Sequence, residues 1–442
     1  MPKLHKITAE HSTWPISCPA RLIVGATNHP CEPLSDWIRW TLRPVLSRTY
    51  LPEYLRDTPD FLLMLEDVRD GSHTPPWECS PVTADSTPFS IDVESMFPTI
   101  PSDKGADCCG MLWQRLRHNT DPTHPLTPAL LIRIVRFILI HTWFAFDTET
   151  YSQIGGTAMG QKHSVVFANI FMSCFFTAFF EANPRWKNHL PVFRRFLDDV
   201  FGFWHGSRVG FCSFVACLNT WSSENDWQIC FKINGWGWPL QFLDVELYQD
   251  QGILHSRLFC KETDIHAYVL PSSCHPPSIC KSIPRSIALR IFRICSDVNE
   301  FCRFWVLFRD RYFARRGYDK HHIDKIFRIV RRMNRKEQLL PKARTQRDPT
   351  DIPFLVPYGR GTKDVHKVLT DVASLSIARQ MHSSRSWRFP QKLIFKVGQF
   401  RAAVSTFLFL TPGATGTWMS PLYEFSLPAS QPHGSVPQYC VF

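Results

Sequence analysis

Two adjacent carboxylates, Asp198 and Asp199, stand between apolar arms in the stretch Phe196–Phe203. Val192–Leu197 before them and Val200–Phe203 after them have the composition of paired strands, so a tight turn would carry both carboxylates to one cleft. A third carboxylate lies upstream. Asp92 alternates with Phe89, Ile91 and Val93, and a strand that buries those three presents Asp92 on its open face. Carboxylate oxygens are hard ligands that suit Mg²⁺ or Mn²⁺. Two such ions about 4 Å apart activate an attacking hydroxyl, hold a triphosphate and stabilise the leaving pyrophosphate. In that arrangement Asp92 and Asp198 bridge the ions and Asp199 completes the site. A lone Asp-Asp turn is more often merely solvated, so the order of the surrounding segments decides its meaning.

Between the two acidic motifs lies the glycine-rich segment Gln153–Gly160, which runs into the helix-like Val165–Met172. Glycines 155, 156 and 160 would let backbone approach a templating base or nucleotide closely, although a glycine turn without a ligand reads the same way. Phe97, on the loop after Asp92, places a large ring where it could exclude a ribose 2′-hydroxyl; simple core packing is the alternative. A strand with Asp, a glycine loop with a helix, and an Asp-Asp hairpin follow one another in the order of palm motifs A, B and C of reverse transcriptases.

The elements that must position these groups are set by the rest of the chain. Its 442 residues carry a formal net charge of +11, which permits an anionic partner without proving one. From Lys281 to Gln346, 18 Lys or Arg stand against 6 Asp or Glu, leaving the remainder near neutrality. A groove for a phosphate backbone needs such a concentration, and a solvated basic helix face would share it. Ile287, Ile291, Ile294, Val298, Phe301, Trp305, Phe308 and Tyr312 recur at helical spacing and predict one long amphipathic helix. Gly317 would stop it, and Asp319 would cap a second helix that buries Ile323, Ile326, Val330 and Met333. Lys325, Arg328, Arg332 and Arg335 would lie off that face. The apolar run Ala129–Trp143 predicts a buried helix with a basic edge at Arg133 and Arg136. Fifteen cysteines with no C-x-x-C pair, and an N-terminus without an apolar signal region, predict a reduced intracellular protein of nucleus or cytoplasm, not a secreted one.

The chain resembles the reverse transcriptases of Penelope-like retroelements. The resemblance rests on Pro2–Lys6, Arg21–Val24, the Asp92 motif, Gly156–Gly160 with Ala168–Met172, and Phe196–Asp199. It continues through Gln241–Val245, Arg257–Asp264, Cys274–Pro276 and Lys281–Pro284, covering most of residues 1 to 340. It implies an α+β right-hand polymerase: partial fingers over 1–80, a palm over 81–260, a basic helical thumb or helix-turn-helix-like module over 261–345, and a partly loop-like extension over 346–442. It implies that Asp92, Asp198 and Asp199 are catalytic carboxylates holding Mg²⁺ or Mn²⁺. Phe97 becomes the sugar-selecting ring and Gly160 the glycine under the nucleotide, while Lys6 and Arg21 match finger positions that contact the triphosphate. Asp244, in a segment resembling the primer-grip hairpin, is expected to be structural. The implied partners are an RNA template, a DNA primer and deoxynucleoside triphosphates, with no membrane.

Departures from the pattern sharpen the expectation. The usual aromatic-Ile-Asp-Asp is Phe-Leu-Asp-Asp here, and Ser164-Val165 replaces a frequent small-residue-Pro pair. The chain begins almost at the first finger motif and carries no GIY-YIG endonuclease signature, as a truncated element copy would. The alternative expectation is a catalytically silent, nucleic-acid-binding remnant.

Overall fold

The computed structural model describes residues 23–26, 29–77, 79–146, 149–261 and 264–341, with the backbone of 352–357, 367–368, 371 and 393–398. Contacts divide the chain into a first unit, Met1–Asp351, and a second, Ile352–Phe442. The first unit opens with α1 (Glu32–Leu42), α2 (Thr58–Arg69), β1 (Thr87–Val93), the one-turn α3 (Met96–Thr99), α4 (Ser102–Thr120) and α5 (Pro128–Ile140). A β2–β3 ribbon (Trp143–Phe146, Glu149–Ser152) leads to α6 (Ser164–Ala182), the hairpin β4 (Val192–Phe196) and β5 (Asp199–Trp204), α7 (Arg208–Glu224) and β6 (Phe231–Trp236). Then come β7 (Leu240–Phe242), β8 (Val245–Asp250), β9 (Ile253–Leu258), and the helices α8 (Pro277–Ile294), α9 (Val298–Leu307), α10 (Lys320–Arg331) and α11 (Arg335–Leu339).

Four strands form an antiparallel sheet in the order β4-β5-β1-β6, and β7-β8-β9 form a second sheet. Alternation sorts the side chains of the four-stranded sheet between two cores. Phe89, Ile91, Val93, Phe193, Val200, Trp204 and Phe231 enter the core shared with α4, α6 and α7. Val192, Phe201 and Phe203 face the other way, against Phe61 and Leu65 of α2 and Phe242 of β7. Asp92 lies between Ile91 and Val93 and therefore projects to the second face.

The helix under the sheet, α6, owes its place to phenylalanines at every fourth position. Phe167, Phe171, Phe175 and Phe179 are at most 1% exposed, and Phe171 and Phe175 meet Trp227 and Phe231 at 5.2 and 5.3 Å between ring centroids. Each buried ring is worth about 1.5–3 kcal/mol. By length and composition α6 could cross a membrane, yet most of it is buried inside this fold.

The sequence predicted one helix from Ile287 to Tyr312, and the structure breaks it. Helix α8 stops at Ile294; Ser296 N donates to Ser256 O at 2.9 Å, tying the break to β9. Asp297 then caps α9, and a π-helical turn follows over Phe308–Phe313. Of the predicted stripe, Ile291, Ile294, Phe301, Trp305 and Phe308 are buried, whereas Val298, just past the break, is exposed. Gly317 ends the array in the left-handed region at φ 75°, and the Asp319 carboxylate accepts from the backbone N–H of His321 and His322. Arg335 is no part of a free basic face: it donates to Arg293 O and pairs with Glu66 of α2. Helix α5 also differs from its expected burial. Leu131, Val135 and Ile138 are buried while Leu130, Phe137 and Ile140 are exposed, and Arg136 reaches Asp103 and Asp107 on α4.

In the second unit the described strands β10 (Ile352–Pro357) and β11 (Leu393–Gly398) pair in parallel. The tail from Thr411 lies outside the described residues.

Candidate active site

Register brings the carboxylates together. In the pairing of β1 with β5, Asp92 stands opposite Asp199, and in the pairing of β1 with β6 it stands opposite Lys232. Directly opposed residues of antiparallel strands share a face. The row Asp199, Asp92, Lys232 therefore crosses the sheet on the face away from α6. The carboxylates are half-buried and Lys232 is exposed. Sequence reasoning placed Asp198 beside Asp92 in the bridging role; the structure gives the facing position to Asp199 and sets Asp198 in the two-residue turn between β4 and β5. The Asp198 carbonyl accepts from Val93 N at 3.1 Å, which fastens the turn to the end of the Asp92 strand.

That turn is strained. Leu197 adopts φ 55°, a left-handed conformation that costs a residue bearing a Cβ about 1–2 kcal/mol. Arg195 holds it there. Its side chain is fully buried, and its guanidinium donates to Leu197 O at 2.9 Å, to Asn169 Oδ1 and O at 3.0 Å each, and to Glu53 Oε1 at 2.8 Å from Nη2 and 3.2 Å from Nε. All five N–H groups of the fork are thereby used. Glu53 is itself buried and also accepts from Ser173 Oγ at 3.2 Å. Backbone bonds Arg195 N to Glu53 O at 2.7 Å and Leu55 N to Arg195 O at 2.8 Å complete the tie. One buried arginine thus joins the segment before α2, the helix after the glycine loop, and the turn carrying Asp198. Sequence reasoning missed Glu53, Asn169, Arg195 and Lys232. The available signal was a charged pair, Arg194-Arg195, inside an otherwise apolar strand, where a charge needs a partner.

The glycine loop is joined to the Asp92 loop by close backbone approach. A Cβ on Gly156, at φ 69°, would come within 2.4 Å of Phe97 O and 2.5 Å of Pro98 O, and Thr157 N donates to Phe97 O at 2.8 Å. Gly160, at φ 119°, is filled by the Val24 carbonyl, 2.1 Å from an added Cβ. Gly155 has open space around it. The glycine at 156 brings the loop against Phe97 and the glycine at 160 brings it against the segment that follows Arg21. Phe97 itself is half-buried on α3 against the core. Lys6 and Arg21 lie outside the described residues. Gly156→Ala should cost about 1–3 kcal/mol, read as a lower denaturation midpoint, with a larger loss of any activity that needs Phe97 in place.

His163, just before α6, is fully buried; Ser35 Oγ lies 2.9 Å from its Nδ1 and accepts from its backbone N–H. Burial pushes the imidazole down to about 4. The unfolded chain takes up a proton near pH 6.5 that the folded chain refuses, so stability is full above pH 6.5 and falls as the pH drops towards 4. The expected loss is roughly 3 kcal/mol. Urea titrations at pH 7 and pH 4.5 should show it, and His163→Gln should flatten the slope.

Asp244 behaves as a structural residue, accepting from Thr58 Oγ1 at 3.0 Å and Arg290 Nε at 2.9 Å. Among the described residues no three His, Cys, Asp or Glu side chains are grouped closely enough to cage a metal. The donor set still suits Mg²⁺, which is usually held by one or two carboxylates together with substrate phosphates. Two carboxylates opposed across strands repel each other, and a divalent ion between them reverses the sign of that interaction.

Residues 267–328, spanning α8, α9 and most of α10, match a family model described as an animal helix-turn-helix domain. No curated protein matches the chain. Among solved structures it is similar to a telomerase from Candida albicans in complex with a fragment of telomeric RNA, at 10% identity and a TM-score of 0.46, covering 68% of this chain and 51% of that one. An apo telomerase from Candida tropicalis is similar at 10% identity and a TM-score of 0.39, with 69% and 53% covered. The BmCPV RNA-dependent RNA polymerase at elongation state is similar at 10% identity and a TM-score of 0.36, with 59% and 23% covered. The chain spans about half the length of these telomerase chains. At such scores the function has to come from the chain's own geometry.

Proposed function

We propose that this chain is a template-directed polymerase that copies RNA into DNA, a reverse transcriptase of the Penelope-like type. The observation that carries the reading is the row Asp199, Asp92, Lys232 on the sheet face away from α6, with Asp198 in the strained turn at its edge. Asp92, Asp198 and Asp199 would hold Mg²⁺ or Mn²⁺. When bound, the ions lower the pKa of a primer 3′-hydroxyl and offset charge on the departing pyrophosphate.

The protein's own groups do the positioning. Arg195 and Glu53 fix the turn, so Asp198 needs no rearrangement as the substrate arrives. Lys232 sets an ammonium beside the carboxylates, where triphosphate oxygens would lie. Phe97, whose carbonyl accepts from the glycine loop, would meet a ribose 2′-hydroxyl and so favour deoxynucleotides. Lys6 and Arg21 are assigned the triphosphate and Gly160 the turn beneath the nucleotide. Lys325, Arg328 and Arg332, exposed on and just after α10, would take phosphates of the template–primer duplex.

Thermal unfolding tests the reading against a silent nucleic-acid-binding remnant. Mg²⁺ with a deoxynucleotide should raise the melting temperature of the chain on a primed RNA template, and Asp198→Asn should lose that rise. Equal stabilisation of the variant, or binding that is sensitive to salt and indifferent to metal and nucleotide, would favour the remnant.

A further inference from the structure

A cavity of about 600 Å³ lies away from the carboxylate row, between the loop that follows β9 and the π-helical turn after α9. Lys261, Arg311, Arg315 and Arg316 line it, with Asp264 the acidic residue among its lining. No ion pair to any of these four cations occurs among the described residues, whereas Arg290, Arg303 and Arg309 nearby all have carboxylate partners. Among the described residues four cations share this concavity with one carboxylate and repel one another, and a bound anion would relieve that repulsion.

The walls are built in advance. His266 takes up φ 47°, its N–H donates to Asp264 Oδ1 at 2.9 Å, and its ring lies against Tyr312 and Phe308 at 4.3 and 4.8 Å. Tyr268 stacks on Phe313 at 5.1 Å, and Tyr318 Oη donates to Val269 O at 2.6 Å. The loop is thus strapped to the turn by these ring contacts and hydrogen bonds. A π-helical turn departs from ordinary helix geometry, and such turns recur at functional sites. Here it carries Arg311 and Tyr312, which line the cavity together with Arg315 and Arg316 of the turn that follows.

We propose that this cavity is a second phosphate site, binding consecutive phosphate groups through Lys261, Arg311, Arg315 and Arg316 with a base against Tyr312. Two sources share that chemistry: successive phosphodiesters of a nucleic-acid strand, and the polyphosphate chain of a free nucleotide. The residues involved are separate from the exposed basic face of α10 and from the carboxylate row. The inference does not depend on the polymerase reading, because binding here should persist in Asp198→Asn.

The test compares the full chain with Arg311→Ala/Arg315→Ala, and with Arg115→Ala/Arg208→Ala as a control of equal charge at exposed positions elsewhere. Probes are a fluorescent single-stranded 12-mer titrated at several salt concentrations, and ATP and tripolyphosphate as competitors. If the strand is the ligand, the cavity variant binds the 12-mer at least tenfold more weakly. Its salt slope falls by about 0.7 for each phosphate the variant no longer holds, and the control keeps both values. If the free chain is the ligand, ATP and tripolyphosphate bind the wild type and lose at least tenfold in the cavity variant alone. Equal behaviour of the two double variants with every probe overturns the proposal. Matching melting temperatures guard against misfolding, and the same comparison in the Asp198→Asn background keeps a failure of this site distinct from a failure of the polymerase reading.

Discussion

Asp198→Asn should reduce primer extension by roughly 10³-fold or more while leaving the fold within about 1 kcal/mol of wild type. Charge stabilisation through a bound cation is worth several kcal/mol at the transition state, and about 4 kcal/mol corresponds to three orders of magnitude. Asp198 sits half-buried in the β4–β5 turn and meets the Asp92 strand through its backbone carbonyl, a bond that Asn retains. Asp199→Asn should lose activity on the same scale, because Asp199 faces Asp92 across the strands. Asn keeps the size of Asp199 and removes the repulsion between two opposed carboxylates, worth about 0.2–1 kcal/mol. Loss of activity with unchanged stability separates a chemical role from a structural one. Chemical denaturation and extension assays on the same preparations supply both readings.

Glu53→Gln and Arg195→Ala should each destabilise the first unit by about 3–5 kcal/mol, since either change strands a buried charge. Paired replacement of Glu53 and Arg195 by Gln and Met should cost less than the sum, with a coupling of about 0.5–3 kcal/mol. Arg195→Lys separates charge from shape. It keeps a cation opposite Glu53 and cannot also reach Asn169 and Leu197 O with a planar fork. The lysine variant should therefore recover part of the stability and little of the activity, with the loss in kcat rather than KM, because the Asp198 turn is no longer held. Recovery of stability and activity in parallel would make the pair a plain core tie.

The site was legible in sequence where chemistry and periodicity coincide. Phe89, Ile91 and Val93 alternating with Asp92 announced a strand with one open face, and the apolar arms around Asp198-Asp199 announced a hairpin; both formed as expected. Gly317 and Asp319 marked a helix end and a helix start, for the reasons that make glycine tolerate φ 75° and aspartate accept backbone N–H groups. What escaped was information that arises only when distant segments meet. Which aspartate faces Asp92 depends on strand register, and a two-residue turn puts Asp199 there. Arg195 looked like a stray charge until Glu53, 142 positions earlier, came against it. The long stripe over α8 and α9 breaks where Ser296 bonds to β9, which exposes Val298 while Ile291, Ile294, Phe301 and Trp305 stay buried. Helix periodicity reports the buried face and does not report where the axis bends.

The most direct measurement is extension of oligo(dT) on poly(rA) with deoxythymidine triphosphate and Mg²⁺ or Mn²⁺, comparing the full chain with Asp198→Asn. Metal-dependent extension that the variant loses is the predicted result. A folded chain that binds the template–primer and extends nothing with either ion, or a variant that extends as well as wild type, would contradict it.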